Sequence, residues 1–457
     1  MSIPRILIGA TASGSGKTMI TCGILQALVN RGLKVASFKC GPDYIDPMFH
    51  TKVIGTKSRN LDTFFSGEND TRYLLAKNAK DMDISVMEGV MGYYDGVGGT
   101  TPMAGAYDLA RVTDTPAVLI INTRGMSLSV LPLIKGFLEY KEDSKIKGVI
   151  LNQMSEMMYT LLKPQIEKEL GIHVYGYVPT VKDFTIESRH LGLVMPDEVE
   201  ELNKKLNGLA DILEKSLELD ELINLANSAA DLEFDSPVIP KLESVKKPRI
   251  AVGRDEAFCF YYQDNLDLLV EMGAELIEFS PIHDNKLPDG VDGLILGGGY
   301  PELFAKELSE NTKMLASIKD VIDLGLPTLA ECGGFMYLHK KMEGMDNISY
   351  PVVGVIDGEV YRTPKLNRFG YIDITAKHDQ LLGKEGTALK AHEFHYFDST
   401  ACGQSFAAKK PLRKRGWDCI NGSDTLEAGF PHLYYYSNPS AAFSFLLKCT
   451  EKKGTIN

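Results

Sequence analysis

Short apolar runs alternate with helical stretches along the first half of the chain. The first run covers residues 5–10 and leads into a Gly/Ser-rich loop and then a helical run from Thr18 to Asn30. Later apolar runs lie at residues 35–38, 84–87, 117–121 and 148–151. Because each run is short and helical stretches separate them, the pattern predicts an α/β fold with a parallel sheet and helices on both faces.

The pattern changes in the middle of the chain and then starts again. Residues 197–245 are rich in Glu, Leu, Lys and Asn, and their helical periodicity gives way to a proline-containing stretch. A second α/β series begins at Arg249, with apolar runs at 293–296 and 327–330. We therefore predict an N-terminal domain at 1–235, a linker at 236–247 and a C-terminal domain at 248–450.

Composition and charge narrow the class of protein. The chain has 457 residues, too many for one ordinary core, and its net charge of −12 argues against a nucleic-acid or anionic-membrane surface. No apolar run approaches the roughly 20 residues of a membrane span, and no basic-then-apolar leader opens the sequence. Seven cysteines without CxxC spacing fit a reducing cytoplasm. We expect a cytoplasmic protein without nucleic-acid or membrane partners, in an oligomeric state that the sequence leaves open.

The loop after the first apolar run has the pattern of a phosphate-binding loop. It reads Thr-Ala-Ser-Gly-Ser-Gly-Lys-Thr over residues 11–18, and it departs from the strict pattern because Thr11 stands where Gly is expected. Backbone N–H groups and a helix N-terminus bind phosphate oxygens, a lysine adds positive charge, and a threonine hydroxyl can reach Mg²⁺. We predict that the loop binds ATP through Ser13, Gly14, Ser15, Gly16, Lys17 and Thr18, with Thr18 also reaching the metal.

Acidic residues follow two of the predicted strands. Glu88 follows the run 84–87 in the position of a Walker B acid, and Asp43 and Asp46 lie in the loop after the second strand. Mg²⁺ is bound in proteins by one or two carboxylates together with substrate phosphates. Each acid could equally cap a turn or a helix, so the spacing alone leaves both interpretations open.

Two further polar motifs are candidates for substrate contact. Asn152 follows the run 148–151 and could read an adenine edge or simply form a turn. Arg189 and His190 precede an apolar stretch and could hold substrate carboxylates.

The C-terminal half contains a candidate nucleophile. Cys332 follows a predicted strand and precedes Gly333-Gly334, a looser form of the turn that lifts a nucleophile out of a sheet. His432 is the best candidate for its general base. Gly298 and Gly299, which follow the run 293–296, could supply the N–H groups of an oxyanion hole. A nucleotide site and a thiol hydrolase site on one chain predict ATP-driven amide synthesis with glutamine as the nitrogen donor.

The order and spacing of these motifs resemble the cobyrinate a,c-diamide synthase family of cobalamin biosynthesis. The resemblance covers nearly the whole chain. Its segments are residues 11–18, 38–46, 49–50, 59–62, 87–92, 94–96 and 188–193 in the first half, and 255–262, 297–302, 331–334 and 392–396 in the second. It implies a dethiobiotin-synthetase-like P-loop domain fused to a class I glutamine amidotransferase domain of the cobyrinate/cobyrate type.

The family implies a division of labour between the two domains. Cys332 would attack glutamine, a glutamyl thioester would form, and the released ammonia would pass to the first domain. There ATP, with Mg²⁺, would phosphorylate a carboxylate of cobyrinic acid, and ammonia would displace the phosphate to leave an amide. The same cycle would then repeat on a second carboxylate. The resemblance favours Asp46 and Glu88 as metal ligands.

The family motifs add further candidates and one departure. Asp43, Tyr44, Asp95, Arg189 and His190 become candidates for substrate binding or acyl transfer. Most class I amidotransferases have Glu two residues after the catalytic His. This chain has Tyr434 there, and the cobyrinate/cobyrate branch is known for lacking the acid, which leaves the orienting partner of His432 unidentified. His392, Glu393 and His395 are candidates for a domain interface or for ammonia passage.

Three other functions compete with this interpretation. The same diamidation of nickel-sirohydrochlorin, in the coenzyme F430 pathway, is hardly separable by sequence. A nucleotide switch of the MinD/ParA type would have a second lysine early in the loop, where this chain has Ala12 and Ser13, and would lack the amidotransferase half. Cobyric acid synthase shares the domain types but should lack residues 41–46 in this form.

Overall fold

A computed structural model describes residues 1–181, 196–243 and 246–451 of the chain, which divides into two units at Pro237/Val238. Seven strands of the first unit form one sheet in the order β3-β2-β4-β1-β5-β6-β7, with every neighbouring pair parallel, as the apolar runs predict. The strands are β1 (Arg5–Ala10), β2 (Val35–Cys40), β3 (Lys57–Leu61), β4 (Ile84–Glu88), β5 (Ala117–Asn122), β6 (Ile146–Asn152) and β7 (His173–Val178).

Eight α-helices accompany this sheet in the part of the unit that the structure describes. They are α1 (Lys17–Asn30), α2 (Ile45–Phe49), α3 (Thr63–Ala79), α4 (Ala106–Val112), α5 (Val130–Glu139), α6 (Glu156–Leu170), α7 (Pro196–Ser216) and α8 (Leu219–Asn227). Ile8 of β1 packs in one buried cluster with Ile24 of α1 and Leu209 of α7. Leu7 points to the opposite face, because side chains alternate along a strand, and it is equally buried. Burial on both faces fixes β1 and the start of α1, and thereby the loop between them.

The second unit is built around a six-stranded sheet in the order β10-β8-β11-β13-β23-β22. Only β22 runs antiparallel to its neighbour. The strands are β8 (Arg249–Gly253), β10 (Glu275–Phe279), β11 (Gly293–Leu296), β13 (Thr328–Glu331), β22 (Asn421–Gly422) and β23 (Leu426–Gly429), and a short ribbon pairs β9 (Phe258–Phe260) with β12 (Gly298–Gly299). The helices are α9 (Gln263–Glu271), α10 (Ala305–Glu310), α11 (Thr312–Asp323), α12 (Gly333–Tyr337) and α13 (Pro439–Thr450).

Two additional sheets follow α12, and the apolar pattern of the sequence does not predict them. One comprises β14 (His339–Glu343), β15 (Ser349–Pro351), β16 (Ile356–Arg362) and β19 (Phe397–Ser399). The other is antiparallel and comprises β17 (Phe369–Ala376), β18 (Ala388–Phe394), β20 (Phe406–Lys409), β21 (Gly416–Cys419) and β24 (His432–Tyr434). Since β18 pairs with β24, this second sheet brings residues 388–394 beside His432.

Helices long and apolar enough to cross a bilayer do not occur in the described ranges of the chain.

Candidate functional sites

The phosphate loop joins β1 to α1 at the centre of the parallel sheet. Gly14 and Gly16 have φ values of 76° and 87°, in the left-handed region that favours glycine. A Cβ atom on Gly16 would also lie 2.4 Å from Asn152 Nδ2. Lys17 begins α1, and Ser13 and Gly14 are exposed to solvent. The six predicted residues are therefore continuous through the loop and the start of α1, with Ser13 and Gly14 open to solvent and Ser15 buried.

Asn152, at the end of β6, contacts the loop from the neighbouring part of the sheet. Its Nδ2 donates a hydrogen bond of 2.8 Å to the Ser15 carbonyl oxygen, and its Oδ1 accepts one of 2.9 Å from the Gln153 N–H. The side chain is buried, so both of its polar ends are satisfied within the protein. In this arrangement Asn152 supports the phosphate loop, and its contact with adenine stays a prediction.

Glu88 lies at the carboxyl end of β4 and meets the first turn of α1. The Thr18 hydroxyl donates a hydrogen bond of 2.7 Å to Glu88 Oε1, and Lys17 Nζ donates one of 3.3 Å to the Met91 carbonyl oxygen. Glu88 is fully buried, and its Oε2 accepts no hydrogen bond from the residues that the structure describes. Thr18 thus contacts the predicted Walker B acid directly, and Lys17 contacts the loop that follows it.

Lys39 is a central residue of this site that the sequence analysis missed. It pairs in register with Glu88 across β2 and β4, and its Nζ lies 2.8 Å from Glu88 Oε1 and also contacts Asp46 Oδ2. Burial disfavours the charged ammonium, but the two carboxylates outweigh it and raise the pKa of Lys39 well above its ordinary value. Burial acts against the Asp46 carboxylate too, yet Lys39 lowers the pKa of Asp46 overall. The signal in the sequence that could have identified Lys39 is a charged residue near the end of an otherwise apolar strand, one residue before Cys40.

The other predicted substrate residues of the first unit lie at the rim of this cluster or outside the described residues. Asp43 Oδ1 accepts hydrogen bonds from the Ile45 and Asp46 N–H groups at the start of α2. Burial and the Asp46 charge raise the pKa of Asp43 to about 6. Tyr44 is buried, and Asp95 is exposed, with its Oδ2 accepting a bond of 3.0 Å from the Gly92 N–H. Arg189 and His190 lie outside the described residues.

The donor set near the loop fits a hard divalent cation. Mg²⁺ prefers oxygen ligands and commonly takes only one or two carboxylates, with phosphates and waters completing its shell. Thr18 offers a hydroxyl, Glu88 an oxygen with no protein donor among the described residues, and Asp46 a second carboxylate. Within the same described ranges, no group of three or more His, Cys, Asp or Glu residues is placed to hold a metal ion. A metal here would therefore depend on the phosphates of a bound nucleotide.

Cys332 occupies a sharp turn between β13 and α12. Its φ of 49° and ψ of −102° are unusual for a residue with a side chain and cost about 1–3 kcal/mol. The next residues must be small, because a Cβ on Gly334 would lie 2.2 Å from the Leu296 carbonyl oxygen. The Cys332 N–H donates a bond of 2.8 Å to the Gly429 carbonyl oxygen, which ties the turn to β23. This geometry matches the predicted nucleophile turn.

His432 and the Cys332 turn approach two adjacent glycines of β12. A Cβ on Gly298 would lie 2.5 Å from His432 Cε1, and a Cβ on Gly333 would lie 3.2 Å from the Gly299 N atom. A Cβ on Gly299 would be 2.0 Å from the Ala257 carbonyl oxygen, so both residues of β12 must be glycine. The structure therefore brings the predicted nucleophile, base and oxyanion segment together.

The groups of this second site are held in their uncharged forms. Burial, with a smaller contribution from the neighbouring Glu302, raises the pKa of Cys332 well above its ordinary value. Burial and His395 lower the pKa of His432 to about 3. Burial also raises the pKa of Glu302 to about 7 and that of Glu331 to about 8. Since desolvation penalises each charged form, the resting pair is a thiol and a neutral imidazole.

His392 is the neighbour of His432 that sequence reasoning could not place. The two residues pair in register across β18 and β24, and their rings stack with centroids 4.9 Å apart. His392 Nδ1 is hydrogen-bonded to the Tyr262 hydroxyl at 3.0 Å. Glu393 and His395 are buried, with 3.3 Å between Glu393 Oε2 and His395 Nε2, and the His395 ring stacks on Phe430. Roles for His392, Glu393 and His395 in a domain interface or in ammonia passage stay predictions.

The sequence matches known domain families in two stretches. Residues 6–194 match the CobQ/CobB/MinD/ParA nucleotide binding domain, and residues 249–420 match the CobB/CobQ-like glutamine amidotransferase domain. These matches confirm the predicted fold class, with a P-loop α/β domain followed by an amidotransferase α/β domain.

Curated relatives match over nearly the whole length. The cobyrinate a,c-diamide synthase of Caldanaerobacter subterraneus subsp. tengcongensis is 42% identical and covers 97% of this chain and 98% of its own. Proteins of the same name from Priestia megaterium and Listeria innocua are 37% and 39% identical, covering 99% and 95% of this chain and 98% and 97% of their own. Among solved structures, PurLQS from Thermotoga maritima is 18% identical, with a TM-score of 0.32, over 44% of this chain and 99% of that one.

Proposed function

Because the chain belongs to the cobyrinate a,c-diamide synthase family, we propose that it amidates the a and c carboxylates of cobyrinic acid at the expense of ATP. The full-length similarity makes the protein a glutamine-dependent amidating ligase of cobalamin biosynthesis with a nucleotide-binding domain. The acceptor, the use of ATP and Mg²⁺ and the roles of single residues are the proposal. The observation that carries it is that one chain holds both the phosphate-loop residues Lys17 and Thr18 beside Glu88 and the Cys332 turn.

The first unit would activate the acceptor carboxylate. A carboxylate is a poor electrophile, and transfer of the γ-phosphoryl group of ATP to its oxygen makes an acyl phosphate and ADP. Lys17 would hold the transferred phosphoryl group, while Thr18 and Glu88, with Asp46, would hold Mg²⁺. When bound, the metal would neutralise charge on the phosphate oxygens. Lys39, placed between Asp46 and Glu88, would hold both carboxylates in position.

Ammonia would then complete the amide. Its lone pair attacks the acyl carbon, the carbon–oxygen bond to phosphate breaks, and phosphate leaves with the electron pair as the new amide nitrogen loses a proton. Repetition on the second carboxylate consumes a second ATP and a second glutamine. Ammonia must arrive unprotonated, since ammonium has no lone pair for the attack.

The second unit would release that ammonia from glutamine. The Cys332 proton moves to His432 as Sγ attacks the amide carbon, and N–H groups of Gly298 and Gly299 stabilise the oxyanion. His432 then returns the proton to the departing nitrogen, leaving a glutamyl thioester. Water hydrolyses the thioester to glutamate and restores the thiol. Because both resting groups are neutral, the ion pair would exist only while substrate occupies the turn.

The test is mass spectrometry of the tetrapyrrole after incubation with ATP, Mg²⁺ and glutamine. Cobyrinic acid and nickel-sirohydrochlorin are offered in parallel reactions. Double amidation of cobyrinic acid alone is the expected result. Preference for nickel-sirohydrochlorin would overturn the acceptor and keep the chemistry, whereas glutaminase activity with neither product would mean that the acceptor is a different carboxylate.

A further inference from the structure

A concentration of positive charge lies on the hairpin between β20 and β21 of the second unit. Residues 409–415 read Lys-Lys-Pro-Leu-Arg-Lys-Arg, with no acidic residue among them, in a chain whose net charge is −12. Arg413, Lys414 and Arg415 are exposed. Within the described part of the chain, neither these three nor Lys410 forms an ion pair. The hairpin therefore presents positive charge that no ion pair among the described residues offsets.

Trp417 organises the cations of this hairpin. Its ring centroid lies 5.7 Å from Lys410 Nζ, 5.5 Å from Arg415 Cζ and 5.8 Å from Arg368 Cζ. The ring is itself held, because its Nε1 donates a hydrogen bond of 3.2 Å to the buried Glu393 carboxylate. Attraction between cations and an aromatic face orients the charges without cancelling them.

Backbone carbonyl groups provide further contacts of Lys410 and Arg415, whereas Arg368 lies 3.9 Å from Asp398 Oδ1 and contacts Cys402 Sγ. Lys410 Nζ donates to the carbonyl oxygens of Phe369 and Tyr371, and Arg415 donates to that of Asn367 at 3.4 Å. Burial and the neighbouring Arg415 and Arg413 lower the pKa of Lys410 to about 8, although Glu393 acts in the opposite direction. Crowded like charges of this kind are relieved when an anion binds.

An exposed aromatic surface adjoins the cations. Phe369, whose carbonyl oxygen binds Lys410, is 61% exposed, and its cross-strand partner Phe394 is 48% exposed. Their ring centroids are 5.6 Å apart. Large aromatic side chains left at the surface side by side commonly mark a binding surface. The combination of flat apolar rings and several fixed cations suits a broad ring that carries several carboxylates.

We propose that this surface, formed by Lys410, Arg413–Arg415, Trp417 and the Phe369–Phe394 pair, docks the polycarboxylate macrocycle that the enzyme amidates. The inference rests on the proposed function, since it names a second contact surface for that same acceptor. Arginine and lysine would pair with the peripheral carboxylates, and the aromatic rings would contact the edge of the macrocycle. Each amidation removes one negative charge, so affinity falls with each cycle and the diamide is released more easily than the substrate.

The chain offers a built-in probe of this surface, because Trp417 is its only tryptophan. Cobyrinic acid is titrated into the full-length enzyme while Trp417 fluorescence is followed, and the KM for cobyrinic acid is measured in parallel. The test variant carries Arg413→Gln, Lys414→Gln and Arg415→Gln. The matched control carries Lys306→Gln, Lys313→Gln and Lys384→Gln, three exposed lysines elsewhere on the same unit.

The test variant should bind cobyrinic acid with a Kd and a KM raised roughly tenfold, because three exposed ion contacts each contribute a few-fold. The control should keep the Kd and KM of the wild type, and higher salt should narrow the difference between the two variants. Cobyrinic acid should quench Trp417 more strongly, at equal concentration, than its a,c-diamide. Equal Kd and KM values for the two variants, with both folded by circular dichroism, would overturn the proposal.

The outcomes separate this inference from the function on which it rests. If cobyrinic acid quenches Trp417 and the test variant weakens that binding, but no amide forms, the docking surface stands and the proposed function fails. If the enzyme amidates cobyrinic acid and the test variant does so with an unchanged KM, the function stands and the docking surface fails.

Discussion

The two candidate sites solve opposite electrostatic problems. In the first unit, the Lys39 ammonium lies between Asp46 and Glu88, where the pKa of Lys39 is raised and that of Asp46 is lowered, so this pair is charged before any substrate arrives. In the second unit, burial raises the pKa of Cys332, lowers that of His432 and raises that of the neighbouring Glu331, so each of the three groups favours its neutral form. One site is charged at rest, and the other becomes charged only during reaction.

The difference follows from what each site has to bind. A nucleotide is a polyanion that acts with a metal ion, so the protein groups around it must be ionised and fixed in advance, because reorganising them during reaction would cost energy. Glutamine presents a neutral amide, and a permanent thiolate in a buried turn would be both costly and open to side reactions. A site that is charged before binding suits the nucleotide, and a site that becomes charged only during reaction suits glutamine.

Replacing the nucleophile breaks the comparison on the thiol side, with the largest expected effect. Cys332→Ala should lower glutamine-dependent amidation by about 10⁴-fold, because no other thiol lies in the strained turn. Amidation with ammonium salts should survive, since the acceptor is activated in the first unit. Product is measured by mass spectrometry with each nitrogen source. Loss of both activities in a folded variant would contradict two separate sites.

Removing charge breaks the comparison on the nucleotide side. Lys17→Ala, or Glu88→Ala, should reduce amidation by about 10²–10³-fold, through loss of phosphate and metal contacts respectively. Some glutaminase activity should remain, because the thiol site lies in the other unit. Amidation and glutamate release are measured on the same samples.

A milder change at Glu88 controls for folding. Glu88→Ala leaves the buried Lys39 with one carboxylate fewer, whereas Glu88→Gln keeps the shape and the hydrogen bond from Thr18. Both variants should be deficient in ATP hydrolysis. Hydrolysis at the wild-type rate in the Lys17 and Glu88 variants would show that the nucleotide is bound elsewhere.

A methyl group added at Gly298 should sharpen the comparison, because it displaces the His432 ring without altering any charge. Gly298→Ala would place its Cβ 2.5 Å from His432 Cε1, so the ring must shift, and glutaminase activity should fall about 10- to 100-fold. Gly136→Ala, in α5, is the matched control because a Cβ there meets nothing within 4 Å. Ammonium-dependent amidation should be retained in both variants. Equal glutaminase rates in the two variants would argue against His432 as the base.

Local patterns in the sequence predict much of both sites. The strand, loop and helix around residues 5–30 follow from an apolar run, glycines and a helical stretch that are consecutive in the chain. The Cys332 turn is likewise visible, because the strand, the nucleophile and two glycines are adjacent. Physical requirements confined to a few neighbouring residues, such as a left-handed φ or a missing Cβ, leave a direct trace in the sequence.

Contacts made by strand register were not predictable in the same way. Lys39 reaches Glu88 only because β2 and β4 pair in one particular register, and His392 reaches His432 across two strands forty residues apart in the chain. The antiparallel sheet that carries His392 was itself not predicted, since its strands mix buried and exposed positions. Asn152 illustrates the same limit, because its contact with Ser15 depends on how β6 lies beside the loop.

Because Glu331 is neutral in the folded thiol site, its titration should also affect the pH dependence of stability. Burial raises the pKa of Glu331 from its ordinary value of 4.5 to about 8, and its Oε1 accepts no hydrogen bond from the described residues. Between these pH values the folded state keeps the proton that the unfolded state has lost. Stability therefore falls as pH rises from about 4.5 and levels off above about 8.

Glu331→Gln removes this titration and keeps the shape of the side chain. Relative to the wild type, the variant should gain about 4 kcal/mol in free energy of unfolding between pH 5 and pH 8.5. Urea unfolding followed by Trp417 fluorescence reports on this unit directly. The buried Glu427, whose pKa burial also raises, contributes the same slope to both proteins and cancels in the difference. Parallel pH profiles would mean that Glu331 is ionised in the folded protein, and that the thiol site holds a charge at rest after all.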